Sequence, residues 1–212
     1  MNRDILDILN KKGNKGAEEV ALIMREKNLL INELFRGIIG TNKRVKNASI
    51  KTLAIISRDK PTILYPYYKF FVNLIDNDDK ILKWNAIDIV GNLSYIDSKN
   101  KLDTKLIKKY FNLLSNEVMI TAAHSVDNLW KFALNKPRFH KKITTELLKI
   151  DTIKRNPECN NIIIGKTILA FKKYFHLVED KDSVFSFVKR HLNNKRGGTR
   201  KKAEEFLKKF NP

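Results

Sequence analysis

The stretch that decides the fold runs from Ile63 to Leu93 and reads ILYPYYKFFVNLIDNDDKILKWNAIDIVGNL. Both ends are apolar at three- and four-residue steps, the spacing of one face of an α-helix. Between them lies Asp76-Asn77-Asp78-Asp79, residue types that favour turns and helix caps. The spacing predicts two helices joined by a tight turn. In the second, Leu82, Ala86, Ile89, Val90, Leu93 and Ile96 share one face. In the first, Ile63, Leu64, Tyr67, Phe70, Phe71, Leu74 and Ile75 make the matching stripe. Neither helix can bury its stripe alone, so stacking against neighbours is required, and the small Ala86 lets a partner helix approach closely.

The pattern recurs along the chain. Val45 to Ile50 lies over Leu82 to Ile87 at an offset of 37, with Leu53 on Val90, Ile56 on Leu93 and Ser57 on Ser94. A further offset of 36 brings Ala122 onto Ala86, Val126 onto Val90, Asn128 onto Asn92 and Leu129 onto Leu93. Asp59-Lys60-Pro61 and Asn135-Lys136-Pro137 end the first and third units. Period-two alternation is scarce, so the whole chain reads as all-α. The best repeats span 29–57 and 62–97, and weaker ones 104–135, 138–175 and 182–210. A period of this length with two helices per unit signals a stacked α-solenoid. No linker is long enough to divide the chain, so residues 1–212 are expected to form a single domain.

Residues 63–93 resemble a HEAT repeat. In that family the first helix carries a proline and ends near an aspartate, and the second opens Val-Arg before a small residue and a Leu-Gly pair. Pro66, Asp76, Leu82-Lys83, Ala86 and Val90-Gly91 stand at those positions, and Val45-Lys46 is the Val-Arg pair of the 29–57 unit. The chain is similar to microbial HEAT-like proteins. The resemblance implies an armadillo-type, right-handed α-solenoid of about five helix pairs, with the second helix of each pair lining a concave face. It implies no activity.

Charge bears on partners. Lys plus Arg number 42 against 23 Asp plus Glu, a net charge of +19, and the C-terminal half carries most of the excess. A surplus of this size points to an anionic partner: nucleic acid, an anionic membrane surface or an acidic protein. No apolar run approaches the ~18 residues that span a bilayer. The opening MNRDILDIL is charged and lacks a long apolar stretch, so no secretory signal is expected there. Cys159 is the one cysteine, which excludes an intrachain disulfide and suits a reducing cytoplasm. His124, His140, His176 and His191 show no paired metal spacing, and glycine-rich phosphate loops are missing, so no metal or cofactor is expected.

Opposite the apolar stripe of the 81–96 helix, Trp84, Asp88, Asn92 and Tyr95 fall within roughly 80° of one another. The repeat register sets Asp88 level with Lys51 and His124, and continues the row through Lys166 and Lys201. The inferred groove is lysine-lined, with one carboxylate and one large aromatic. At the C-terminus, Gly197-Gly198 are expected to break the chain and Thr199 to cap a last helix that opens Arg200-Lys201-Lys202. Three cations in a first turn oppose the helix dipole, a cost that phosphates would offset.

Several readings of the row stand side by side. In the structural one, Asp88 pairs with Lys51 or His124 and Trp84 fills a gap between repeats. In the leading functional one, the protein is non-catalytic and binds an anionic macromolecule, DNA or RNA first and an acidic protein second. Lys51, Lys83, Lys166, Arg200, Lys201 and Lys202 meet phosphates and Trp84 stacks on bases. A protein–protein scaffold would instead use Trp84, Tyr95 and the Tyr65/Tyr67/Tyr68 cluster. A catalytic reading comes from a distant similarity to HEAT-like DNA glycosylases of the alkylation-repair type. That family holds a Trp and an Asp four residues apart, as Trp84 and Asp88 are. It also expects an arginine from the next layer, where this chain offers His124.

Overall fold

The computed structural model describes residues 4–26 and 31–210. Leu29 and Leu30, which open the 29–57 repeat, and the ends of the expected 1–212 domain lie outside the described residues. Among the described residues every regular element is helical and none is a strand. The chain gathers into two compact units, Met1–Lys99 and Asn100–Pro212.

The first unit holds α1 (Ile5–Lys12), α2 (Gly16–Glu26), α3 (Ile31–Ile39), α4 (Lys43–Asp59), the short α5 (Pro61–Leu64), α6 (Tyr68–Leu74) and α7 (Lys80–Leu93). Helix α4 packs against α2, α3 and α7, and α6 against α7. A helix pair, α1 with α2, thus precedes the repeats read from the sequence. The α7 stripe is buried as its spacing requires: Ala86, Ile89, Val90 and Leu93 are fully buried and Leu82 nearly so. Each large apolar side chain among them contributes roughly 1.5–3 kcal/mol over its exposed state. The first helix of this pair is broken in two. Pro66 has no N–H to give and its ring crowds the preceding turn, so Tyr65–Tyr67 tightens into a 3₁₀ turn between α5 and α6. That turn aims the Tyr65 hydroxyl at Asp97, donating to Oδ1 at 2.5 Å. Burial and the Asp97 carboxylate push the phenol pKa up to about 12.

The second unit holds α8 (Thr104–Leu114), α9 (Met119–Asn135), α10 (His140–Leu148), α11 (Pro157–Tyr174), α12 (Lys181–Arg190) and α13 (Gly197–Phe210). Helix α9 packs on α8, α10 and α11, and α13 packs on α11 and α12. Aromatic edges fill its core: Tyr110 meets Phe132 with ring centres 4.8 Å apart, and Phe171 meets Phe187 at 5.7 Å.

The internal repetition has close local counterparts. Ser57 and Ser94 are both buried and each donates to the carbonyl three residues back, at 2.7 Å. Asn42 caps α4 and Asp79 caps α7, each accepting two backbone N–H bonds. Lys60 and Lys136 end α4 and α9 with nearly the same backbone, φ −138° ψ 65° and φ −134° ψ 81°, ahead of Pro61 and Pro137. The residue before a proline is driven from the α region, which stops both helices at the same point.

Candidate nucleic-acid interface

The sequence-derived residues fall in two places. In the first unit Lys51 is half-buried on α4, and Lys83, Trp84 and Asp88 are half-buried on α7. Tyr95 beside them is 77% exposed. Asn92 donates to the Ser57 hydroxyl at 2.8 Å, so this polar position ties α7 to α4. Trp84, Asp88 and His124 each already hold an interaction of their own, and His124 lies on α9 in the second unit. Of the scaffold tyrosines, Tyr65 is engaged by Asp97, and Tyr67 packs on Phe35 with ring centres 4.9 Å apart.

In the second unit the packing of α9, α11 and α13 gathers the cations. Gly165 on α11 is where α13 approaches. A Cβ there would lie 2.8 Å from the Thr199 hydroxyl and 3.4 Å from both Cδ and Nζ of Lys202. The Thr199 hydroxyl donates to the Asn161 carbonyl at 2.7 Å, and the Asn194 amide donates to the Asn161 side chain at 3.0 Å. The close approach sets Lys202 beside Lys166. Burial first, and then the nearby cations Lys166 and Arg196, hold the Lys202 ammonium below the ordinary lysine range. Asp127 and Glu205 pull the other way. Lys166 pairs with Asp127 of α9, and Arg196 pairs with Glu158 at the start of α11.

These interactions revise the C-terminal expectations. Gly197 and Gly198 begin α13 instead of breaking the chain, and Thr199 sits inside its first turn. The Thr199 side chain is 1% exposed and spent on the neighbouring helix, so it does not cap its own. Lys166 pairs with Asp127 and stands near Lys202, neither of which the repeat register sets beside it in the row. Lys201 is exposed one position along α13. Arg200 donates through Nη1 to the carbonyls of Asn194 at 2.7 Å and Lys195 at 3.1 Å, bracing the turn that enters α13.

Sequence reasoning passed over Trp130. It is half-buried on α9, one turn beyond Asp127, with the Lys173 ammonium 5.7 Å and the Lys131 ammonium 5.9 Å from its ring. Lys173 is seven residues, two turns, past Lys166 on the same side of α11. The adjacency Trp130-Lys131 was the available signal, but the pairing with Lys173 exists only in the fold. The face thus combines Lys166, Lys202, Arg196, Lys131 and Lys173 with an indole and three carboxylates, Asp127, Glu158 and Glu205. Among the described residues no group of three His, Cys, Asp or Glu side chains could hold a metal, and no helix is long and apolar enough to cross a membrane.

No protein-family model matches the sequence, and no curated relative matches it. The structure is similar to the crystal structure of an engineered protein at a TM-score of 0.58 and 14% identity, over 97% of this chain and 96% of that one. The likeness is one of fold.

Proposed function

We propose that the chain is a non-catalytic nucleic-acid-binding protein whose helix pairs stack, within each unit, as HEAT-like solenoid layers. The observation that carries the reading is the packing of α13 on α11 at Gly165, which brings Lys202 up to α11 beside Lys166 and Arg196. Asp127 and Glu158 offset that like charge in part, and a phosphate beside Lys202 would offset it further. The +19 net charge, most of it in the C-terminal half, favours the same class of partner. Trp130 between two lysines supplies what a single-stranded binder uses besides charge, a ring face for a base next to cations for its phosphates. On this reading Lys166, Lys173, Lys201 and Lys202 meet the backbone and Trp130 stacks. In the first unit Lys51, Lys83 and Trp84 play the corresponding parts.

The test is an anisotropy titration of the full chain with labelled single-stranded DNA, single-stranded RNA and duplex at low salt. Binding in the micromolar range or tighter is expected, and Trp130→Ala is expected to weaken single-strand binding about tenfold. Absence of binding to all three overturns the reading. The scaffold reading would then stand, with a protein partner bound through Trp84 and Tyr95 in a salt-insensitive way.

A further inference from the structure

The first unit holds a second concentration of cations, and this one lines an open surface cavity. Helix α1 ends at Lys12, and Gly13 turns the chain with φ 55°. That left-handed backbone suits glycine, and the missing side chain leaves room for Arg44. A Cβ on Gly13 would lie 3.1 Å from Arg44 Nε. Arg44, in the first turn of α4, reaches across the turn and donates from Nη2 to the Lys11 carbonyl at 2.7 Å. Beside it the Asn42 amide donates to Asn10 Oδ1 at 3.0 Å. The start of α4 is thereby clamped on the end of α1.

Between them lies a cavity of about 560 Å³, lined by Lys11, Lys12, Gly13, Asn14, Lys15, Arg44 and Asn47. Four of these residues are cationic, and no carboxylate is among them. The Lys12 ammonium pairs with Glu19 at 2.6 Å, outside the lining. The first turn of α4 also contains no acidic residue, although a helix N-terminus favours negative charge. Lys43 and Arg44 stand there instead, against the dipole. The volume is within the roughly 300–1,000 Å³ typical of small-ligand sites. Besides the Glu19-paired Lys12, three cations line the cavity, more than a single backbone phosphodiester requires. They match the charge of about −1.5 to −2 on a phosphomonoester.

We propose that this cavity binds a phosphomonoester carried on a nucleotide, either the 5′-phosphorylated end of a strand or a free nucleotide. Arg44, held in place by the Lys11 carbonyl, is the positioning cation, and Lys11 and Lys15 close on the phosphate from the exposed side. The repeat register puts Asn47, one of the lining residues, level with Trp84 in the sequence pattern. The inference rests on the nucleic-acid reading for the strand-end form but not for the free nucleotide.

The experiment compares one oligonucleotide with a 5′-phosphate and with a 5′-hydroxyl, and adds adenosine monophosphate as a competitor. The wild type and Lys11→Gln/Lys15→Gln are both measured. Lys11 and Lys15 are exposed, so the double variant is expected to keep the wild-type melting temperature. The 5′-phosphate should tighten wild-type binding about tenfold, and the double variant should lose that gain while binding the 5′-hydroxyl strand within about threefold of wild type. Nucleotide binding without any oligonucleotide binding supports the cavity while ending the nucleic-acid reading. Equal affinity for both strands, with no binding of the nucleotide, overturns the cavity and leaves the nucleic-acid reading standing.

Discussion

Gly165 and Thr199 approach so closely that a β-carbon on the glycine would lie 2.8 Å from the threonine hydroxyl. The packing of α13 on α11 is built around this missing atom. It also decides where Lys202 stands, since the same β-carbon would touch the Lys202 side chain at 3.4 Å.

Gly165→Ala should therefore disturb stability and site together. Overpacking costs about 1–3 kcal/mol, and the better helix propensity of alanine returns about 1. A fall in Tm of a few degrees is expected, about 2–4 °C per kcal/mol for a chain of this size. Thermal melts check the first effect, and oligonucleotide affinity, expected to drop with the displacement of Lys202, checks the second.

Asp127→Asn should act in the opposite direction on binding. Asp127 is the carboxylate that pairs with Lys166, and both side chains are partly exposed, at 46% and 32%. Such a pair contributes only about 0–1 kcal/mol to stability. Without it, Lys166, Lys202 and Arg196 face an incoming phosphate with less local compensation. Affinity for a single strand at low salt is expected to rise about threefold with Tm nearly unchanged. A fall in affinity would mean that Asp127 positions Lys166 productively.

His191 gives the second unit a pH dependence. Burial is the main cause of its depressed pKa, partly opposed by Asp151, whose Oδ2 lies 3.4 Å from Nε2. A histidine with a lowered folded pKa binds its proton more readily in the unfolded chain. The stability linked to it is present above pH 6.5 and is lost as pH falls through the folded pKa. Melting temperature should fall below pH 6.5 in the wild type and less steeply in His191→Gln. Parallel profiles for the two proteins would assign the acid sensitivity elsewhere.

Asp88 tests catalysis. The non-catalytic account expects neither the wild type nor Asp88→Asn to release bases from alkylated DNA in a product assay. Release by the wild type alone would favour the glycosylase reading instead.

What was legible in the sequence was what packing imposes repeatedly. The stripe Leu82/Ala86/Val90/Leu93 is buried because its spacing leaves no other choice, and Ser57 and Ser94 repeat because equivalent helices end in equivalent ways. The surface row was less legible. A slip of one residue turns a helix by 100°, and nothing apolar constrains Lys201 against Lys202. Their assignment depends on Gly165, Thr199 and the Asn161 carbonyl, a backbone fit that hydrophobic alignment does not register. The break at Pro66 was visible as a proline, yet its consequence, the aim of Tyr65 at Asp97, needed the folded turn.

The central claim is that phosphates are met by the cations gathered on α11 and α13. It is tested most directly by the salt dependence of single-strand binding in the wild type and in Lys166→Gln/Lys202→Gln. For the wild type, log K should fall linearly with log salt. In the double variant the slope should be shallower by about 0.7 for each phosphate no longer neutralised. Identical slopes for the two proteins, or binding that ignores salt, would contradict the account.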